Sequence, residues 1–377
     1  MEYRKLGNIK ENISALGFGL MRLPRKFKDS QEIDYEQAEQ MIDLAIKNGV
    51  NYFDTAWPYH EGLSEKFVGD VLSKYPRESY NIASKCPIWS IKKKEDVLDI
   101  FNKQLEKCNV EYFDFYLMHA LNRNALITIE KFEIYDILNN LKKQGKIRYL
   151  GFSFHDTPSV LQQIVDTFEF DFGQIQLNYI DWEEYQSEQQ YNILRNKKLP
   201  IIIMEPVRGG TLATLSPSAC DVFYAHDESK SIASWAIRFV ESLDGILTVL
   251  SGMSTMLQVE DNLETLNNFV PLNANDLSAI EVAKKAYRTA DTILCTNCRY
   301  CLPCPHGVNI PKNFSIYNQY RLDNNVELLV KSYNELPKEE KSNNCKRCLA
   351  CLKKCPQSLE IVKLLGKITN TLDNLAK

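Results

Sequence analysis

Eight apolar, strand-like runs recur along the first two thirds of the chain, near 15–21, 51–55, 80–85, 113–118, 148–153, 172–178, 200–204 and 246–251. Between and after them lie segments with a helical repeat of apolar residues, near 36–48, 64–74, 95–107, 130–144, 157–168, 184–196, 229–241 and 257–267. In the first of these, Ala38, Met41, Ile42, Ala45 and Ile46 share a face, and Gly49 follows as a C-terminal cap. Strands alternating with helices call for a parallel sheet built from βα units. Eight such units close an α/β fold of the (β/α)8 TIM barrel type, which takes about 250 residues. The chain has 377 residues, so a smaller second domain is also expected. Residues 2–14 alternate around Gly7-Asn8 like a short hairpin suited to closing the bottom of the barrel.

Three of the runs end in polar groups. Asn51-Tyr-Phe-Asp-Thr-Ala-Trp-Pro-Tyr59 delivers Asp54 and Tyr59, Tyr80-Asn-Ile-Ala-Ser-Lys85 ends in a lysine, and Phe113-Asp-Phe-Tyr-Leu-Met-His119 ends in a histidine. In a (β/α)8 barrel the active site lies at the carboxyl ends of the strands, on loops held by a rigid scaffold. In this order, and in the motif Asp-Thr-Ala-x-x-Tyr, the set resembles the catalytic tetrad of the aldo-keto reductases over roughly residues 1 to 270. The resemblance implies an NAD(P)H-dependent enzyme that reduces a carbonyl or oxidises the alcohol by hydride transfer. Tyr59 would be the proton donor, tuned by Lys85 and Asp54, with His119 positioning the carbonyl oxygen. The chemistry fits these residue types: a tyrosine with its ordinary pKa of about 10 becomes a usable acid beside an ammonium that favours the phenolate. The aspartate keeps that ammonium charged.

The same resemblance assigns coenzyme contacts. Gly19, Leu20 and Met21 end the first strand, and Asp54 the second. Ser153 and Gln176 match residues that hold the nicotinamide carboxamide, with Phe154 in place of an asparagine. Met204 stands where a stacking tyrosine is usual, in a segment that continues through Pro206, Val207, Gly209 and Gly210. The stretch from Val249 to Asn262 is similar to the pyrophosphate and adenosine segment, with Gly252, Ser254, Gln258, Asp261 and Asn262 as contacts. A helix starting near Met256 would turn its free N–H groups towards phosphate. Gly252 and Gln258 occupy positions where NADP-preferring members place a lysine and an arginine, so NADH stays open beside NADPH. No Gly-x-Gly-x-x-Gly flavin fingerprint occurs, although FMN bound through loop contacts is not excluded.

Eight of the eleven cysteines lie beyond residue 290, after a helix read over 275–289. The expected division is therefore a barrel over 1–272 and a helical, cysteine-rich domain over 273–377. The run Cys345-x2-Cys348-x2-Cys351-x3-Cys355-Pro has the spacing of bacterial ferredoxins. The run Cys295, Cys298, Cys301, Cys304 is similar but one residue shorter before its last cysteine, which again precedes proline. Resemblance to ferredoxins implies [4Fe-4S] clusters, two expected and one possible. Cys295, Cys298 and Cys301 would join Cys355 on one, and Cys345, Cys348 and Cys351 would join Cys304 on the other. Two zinc sites are the alternative, although zinc modules usually pair widely separated C-x2-C motifs. With this tail the chain resembles the ferredoxin-tailed branch of the aldo-keto reductases.

A formal net charge of −4 and the lack of a basic block argue against nucleic-acid and membrane-surface partners. Without a secretory leader or an apolar run of about 20 residues, a cytoplasmic location is expected. The resemblance implies a small carbonyl or alcohol as substrate, met by loops such as 22–34 and 122–128 and by Trp57, Trp89 and Trp182. An electron-transfer protein is a possible partner of the clusters. The competing reading is a weakly catalytic redox-sensing module whose clusters serve that partner, favoured by Phe154 and Met204 and opposed by the complete tetrad.

Overall fold

A computed structural model describes every residue except Lys28, Asp29, Gln31, Ala376 and Lys377. Three of these fall in the 22–34 loop read as substrate-facing, which at those positions lies outside the described residues. The chain divides into two compact units: Met1–Pro206 with Ser234–Leu272, and Val207–Ala233 with Asn273–Lys377.

The first unit opens with a ribbon, β1 (Tyr3–Arg4) and β2 (Ile13–Ser14), paired antiparallel. Eight parallel strands follow: β3 (Leu16–Gly19), β4 (Tyr52–Asp54), β5 (Asn81–Cys86), β6 (Phe113–Leu121), β7 (Ile147–Phe154), β8 (Phe172–Gln176), β9 (Ile201–Met204) and β10 (Ile246–Gly252). They close into a barrel in which β10 pairs with β3. The strands read as almost unbroken apolar runs because both faces are covered, by helices outside and by packed side chains within. Tyr52, Ala83, Phe115, Leu117, Phe172, Ile202 and Leu247 form one buried cluster with Ile9 and Ile13. The ribbon therefore closes the end of the barrel where the strands begin, and polar chemistry is left to the other end. Its strands are only two residues long, and the loop that joins them contains the expected turn at Gly7-Asn8, closed by the Ile9 N–H donating to the Leu6 carbonyl at 3.1 Å.

The expected helices are present with small shifts, and two differences have local causes. The helix read over 130–144 is two helices, Arg123–Lys131 and Ile134–Lys143, because Asn122 caps the first early and Glu133 takes a left-handed φ of 52° between them. Residues 123–128, read as a substrate loop, are thus helical. The helix Pro217–His226, in the second unit, was not legible beforehand. There it packs on Ala274–Thr289, whose start carries a full capping box between Asn273 and Asp276. Ile310–Asp323, Val326–Asn334 and Ile361–Leu375 complete that unit around Val308, Ile310, Phe314, Tyr317, Leu365 and Ile368, with Cys301 in this core and Cys295, Cys304, Cys345, Cys351 and Cys355 packed against it.

Close packing of helix on helix is tightest at Gly69, where an added Cβ would stand 2.3 Å from the carbonyl oxygen of Lys107 and 2.8 Å from the carbonyl carbon of Cys108. Backbone cannot yield as a flexible side chain can, so Gly69→Ala is expected to destabilise the protein by about 1–3 kcal/mol. Denaturant unfolding of the variant measures this.

Candidate active site

The strand ends bring four side chains together at the open mouth of the barrel. Parallel pairing sets Asp54 beside Ala83 and Lys85 beside Leu117, two residues before His119. The Lys85 amine donates to Asp54 Oδ1 at 2.5 Å and to the Thr55 carbonyl at 2.8 Å. It lies 3.5 Å from the Tyr59 hydroxyl oxygen and 5.0 Å from the centre of the Tyr59 ring. The His119 ring stands edge-on to Tyr59, 6.1 Å between centroids, and the Trp89 ring, 53% exposed, lies 4.9 Å from that of His119.

Asp54, Lys85 and His119 are all buried. Burial pushes the Asp54 carboxyl up and the Lys85 amine down, while the contact between them pulls each back towards its charged form. Burial, then the charge of Lys85, then His155, holds His119 well below the usual imidazole range. His119 is therefore a neutral ring at ordinary pH, able to hydrogen-bond an oxygen without adding charge.

A second layer holds Lys85 from below. Gln104 donates to the Lys85 carbonyl at 3.1 Å and to Ser84 Oγ at 3.0 Å, and accepts from the Tyr116 hydroxyl at 2.6 Å. Ser84 Oγ donates to the buried Glu65 carboxylate at 2.7 Å. Sequence reasoning missed this layer, although Glu65 gives a signal, being an acid on the same helical face as the apolar Val68 and Leu72. It also missed Asn178 and Asp181. Gln176 and Asn178 both donate to Asp181 Oδ2, at 2.7 and 2.6 Å, in a fully buried polar cluster. Polar Gln174, Gln176 and Asn178 at alternate positions of an apolar run are the visible sign of it.

The expected coenzyme positions divide into groups. Ser153 Oγ accepts from the Ala120 N–H at 2.8 Å and so fixes the left-handed turn, φ 54°, that follows His119. The Leu20 N–H donates to the Asp54 carbonyl at 2.9 Å, which ties the Gly19–Met21 turn to β4. Past β10, the helix Met256–Asn267 starts where read, capped by the Thr255 side chain, which accepts from the Gln258 N–H. Ser254 Oγ donates to the Arg22 carbonyl at 2.6 Å, the Ser254 N–H donates to Gln258 Oε1 at 2.7 Å, and Asn262 donates to Ser251 Oγ at 2.6 Å. Gly252 is exposed, and a Cβ there would meet the Arg22 side chain at 3.2 Å. The Arg22 guanidinium is 3.5 Å from Glu205, the residue after Met204. Val207, Gly209 and Gly210 belong to the second unit. Of the tryptophans, Trp182 packs against Tyr191 and Phe239, and Trp57 carries the Lys107 amine over its ring.

In the second unit the thiols fall into two neighbourhoods. The Cys301 thiol is pushed up by burial and then by the charges of Cys298, Cys295 and Cys355. Cys351, pushed up chiefly by burial, has Cys345, Cys304 and Cys348 as its charged neighbours. Cys304, Cys345, Cys348 and Cys351 line a small pocket with Val308 and Ile310. Among the described residues no three acidic, histidine or cysteine side chains converge as a site for a single metal ion. The two runs also share a backbone course: Asn297 and Arg299 in one, Arg347 and Leu349 in the other, all have φ between 53° and 67° on either side of the second cysteine. Left-handed arginine and leucine residues cost of order 1–3 kcal/mol each and persist only where the surroundings demand that course.

Comparison with known proteins decides the family. Residues 15–285 match the aldo/keto reductase family, and residues 294–359 match a 4Fe-4S dicluster domain. The chain belongs to the aldo/keto reductase family. It is an oxidoreductase of that family with a 4Fe-4S dicluster domain at its C-terminal end. It is 28% identical over 303 residues to an L-galactose dehydrogenase of Arabidopsis thaliana, covering 75% of this chain and 93% of the relative. It is 23% identical over 317 residues to an NADH-specific methylglyoxal reductase of Escherichia coli, covering 73% and 95%. Among solved structures it resembles the holo form of an aldo-keto reductase from Bacillus halodurans, with a TM-score of 0.61 and 26% identity over 76% of this chain and 97% of that one. Among the described residues no helix is long and apolar enough to cross a membrane.

The partly buried His155 ring gives a pH dependence that is not catalytic. His155 is lowered to about 4 by burial, and its Nδ1 is out of contact with solvent. The unfolded chain takes up a proton on this ring below about pH 6.5 whereas the folded chain does so only near 4. Stability is thus expected to be full above pH 6.5 and to fall by roughly 2–3 kcal/mol as pH drops through that window. His155→Gln removes this part of the slope, as denaturant titrations at several pH values will measure.

Proposed function

We propose that the barrel reduces a small carbonyl compound, or oxidises the corresponding alcohol, with NAD(P)H. The observation that carries this reading is the Lys85 amine held between Asp54 at 2.5 Å and the Tyr59 hydroxyl at 3.5 Å, with the His119 ring beside Tyr59. A bound nicotinamide would supply or accept the hydride. The residues assigned to such a coenzyme within the first unit are Gly19, Leu20 and Met21 at the end of β3, Ser153, Gln176 and Met204 on β7, β8 and β9, Pro206 after β9, and Gly252, Ser254, Gln258, Asp261 and Asn262 at the end of β10 and in the helix that follows. Exposed Gly252 leaves room for close approach where a side chain would intrude. Gly252 and Gln258 offer no charge of the kind a 2'-phosphate draws, which supports acceptance of NADH. The relative named as NADH-specific points the same way.

Tyr59 holds the proton that the carbonyl oxygen needs as it becomes an alkoxide. Lys85 stabilises the phenolate left behind, Asp54 keeps Lys85 in place, and neutral His119 donates a hydrogen bond that orients the oxygen. Tyr59→Phe should lower turnover of aldehydes and ketones by about 10²–10⁴-fold while coenzyme binding, read by fluorescence titration under anaerobic conditions, is kept. Activity near that of the parent would overturn this assignment.

The tail is read as holding two [4Fe-4S] clusters, with Cys295, Cys298, Cys301 and Cys355 on one and Cys345, Cys348, Cys351 and Cys304 on the other. The two thiol neighbourhoods support that crossed set, and thiols arranged around a pocket suit a cluster better than one zinc ion. Residues 1–272 and 273–377 are taken as the catalytic and cluster domains. Anaerobic protein should carry about eight irons and eight sulfides per chain, and Cys304→Ala about half of each. Unchanged iron in that variant contradicts the crossed set.

A further inference from the structure

The two cysteine runs differ in charge. Between Cys345 and Cys355 the chain carries Lys346, Arg347, Lys353 and Lys354 and no acidic residue, whereas between Cys295 and Cys304 it carries Arg299 alone. This occurs in a chain of net charge −4. All four cations are exposed, and none has an ion-pair partner among the described residues. On the helix that borders this segment, by contrast, Lys363 pairs with Glu360 and Lys367 with Asp291.

The same segment holds apolar surface. Leu349 is 51% exposed and Leu352 36%, and Cys348 is the exposed thiol among the eight. Arg347 and Leu352 also border an open groove of about 710 Å³ along the helix Ile361–Leu375, together with Lys363, Gly366 and Lys367. A Cβ at Gly366 would meet nothing within 4 Å. Cations that only offset a cluster's negative charge need neither exposed leucines nor a groove beside them. An apolar centre within a charged rim is the composition of a protein contact, and redox encounters are met by small ones, below about 1,200 Å² in total. A compact basic patch also steers an acidic partner into register and speeds its arrival.

We propose that this face docks an acidic one-electron carrier protein, with Leu349 and Leu352 at the centre of contact and Lys346, Arg347, Lys353 and Lys354 around them. The proposal rests on the reading that Cys304, Cys345, Cys348 and Cys351 hold a cluster. One electron passes per encounter, the carrier being oxidised as the cluster is reduced or the reverse, and no bond forms or breaks.

The test uses the anaerobic full-length protein, its iron and sulfide counted first, mixed in a stopped-flow instrument with a reduced acidic flavodoxin as the probe. Bleaching of the cluster band is followed from low to high ionic strength. The second-order rate should fall with salt. Replacing all four cations by glutamine (K346Q, R347Q, K353Q, K354Q) should slow it by at least about tenfold at low salt and flatten the salt dependence. A basic cytochrome should react more slowly than flavodoxin at low salt. Should the fourfold variant lose iron, Gly366→Trp, which alters no cation and no thiol, carries the test by obstructing the groove, and it should also slow the reaction. Full rates in a variant with intact clusters, a faster reaction with the basic carrier, or displacement of flavodoxin by duplex DNA or anionic vesicles would overturn the docking proposal. A parent protein that takes up no cluster overturns both readings, and the iron count reveals it before any carrier is added.

Discussion

A lysine amine and a carboxylate, both shut away from water, share the mouth of the barrel, and the local architecture follows from keeping them together. Either charge alone at that depth would be destabilising by several kcal/mol, so removing one partner of such a pair usually costs about 3–5 kcal/mol. Asp54 and Lys85 arrive on neighbouring strands, β4 and β5, and their 2.5 Å contact sets the two opposite charges against each other, while Asp54 Oδ2 stays buried without a hydrogen-bond partner among the described residues. The backbone takes part as well, since the Thr55 carbonyl accepts from Lys85 and Gln104 holds the Lys85 carbonyl. The outcome is an ammonium that cannot wander and stands where it can act on the Tyr59 hydroxyl.

Much of this was legible in the sequence because a parallel barrel writes its own pattern. Strands buried on both faces must be apolar throughout, so a charged residue at the end of such a run stands out, as Asp54, Lys85 and His119 do. The start of the helix near Met256 was equally legible, and the structure places the Thr255 side chain there as its N-cap, a local event. The support beneath Lys85 was not. Glu65, Ser84, Gln104 and Tyr116 come from separate helices and strands, and no period in the sequence joins them. The cluster of Gln176, Asn178 and Asp181 escaped for a different reason. Its residues are adjacent in the chain, but that a carboxylate turns inward to be satisfied by two amides is decided by packing. The split between Arg123–Lys131 and Ile134–Lys143 hangs on one left-handed glutamate, a conformation that no propensity favours.

The two units pose a question of electron counting. A nicotinamide exchanges two electrons as hydride, and a [4Fe-4S] cluster exchanges one. On the reading developed above, the barrel completes its chemistry by hydride and proton alone, with Tyr59, Lys85, Asp54 and His119 managing the proton. The cluster unit then has its own traffic with a one-electron partner, through a face whose charge is opposite in sign to that of the chain as a whole.

Isotope transfer addresses that separation most directly. With NADH or NADPH deuterated at the transferring position of the nicotinamide, and a carbonyl substrate found by screening aldehydes and ketones anaerobically, mass spectrometry locates the label in the product alcohol. Direct reduction in the barrel puts one deuterium on the carbinol carbon and none in the solvent. Loss of the label to water, with unlabelled alcohol formed at the same rate, would mean that electrons leave the nicotinamide by another route, and the tetrad could not then be the centre of the reaction.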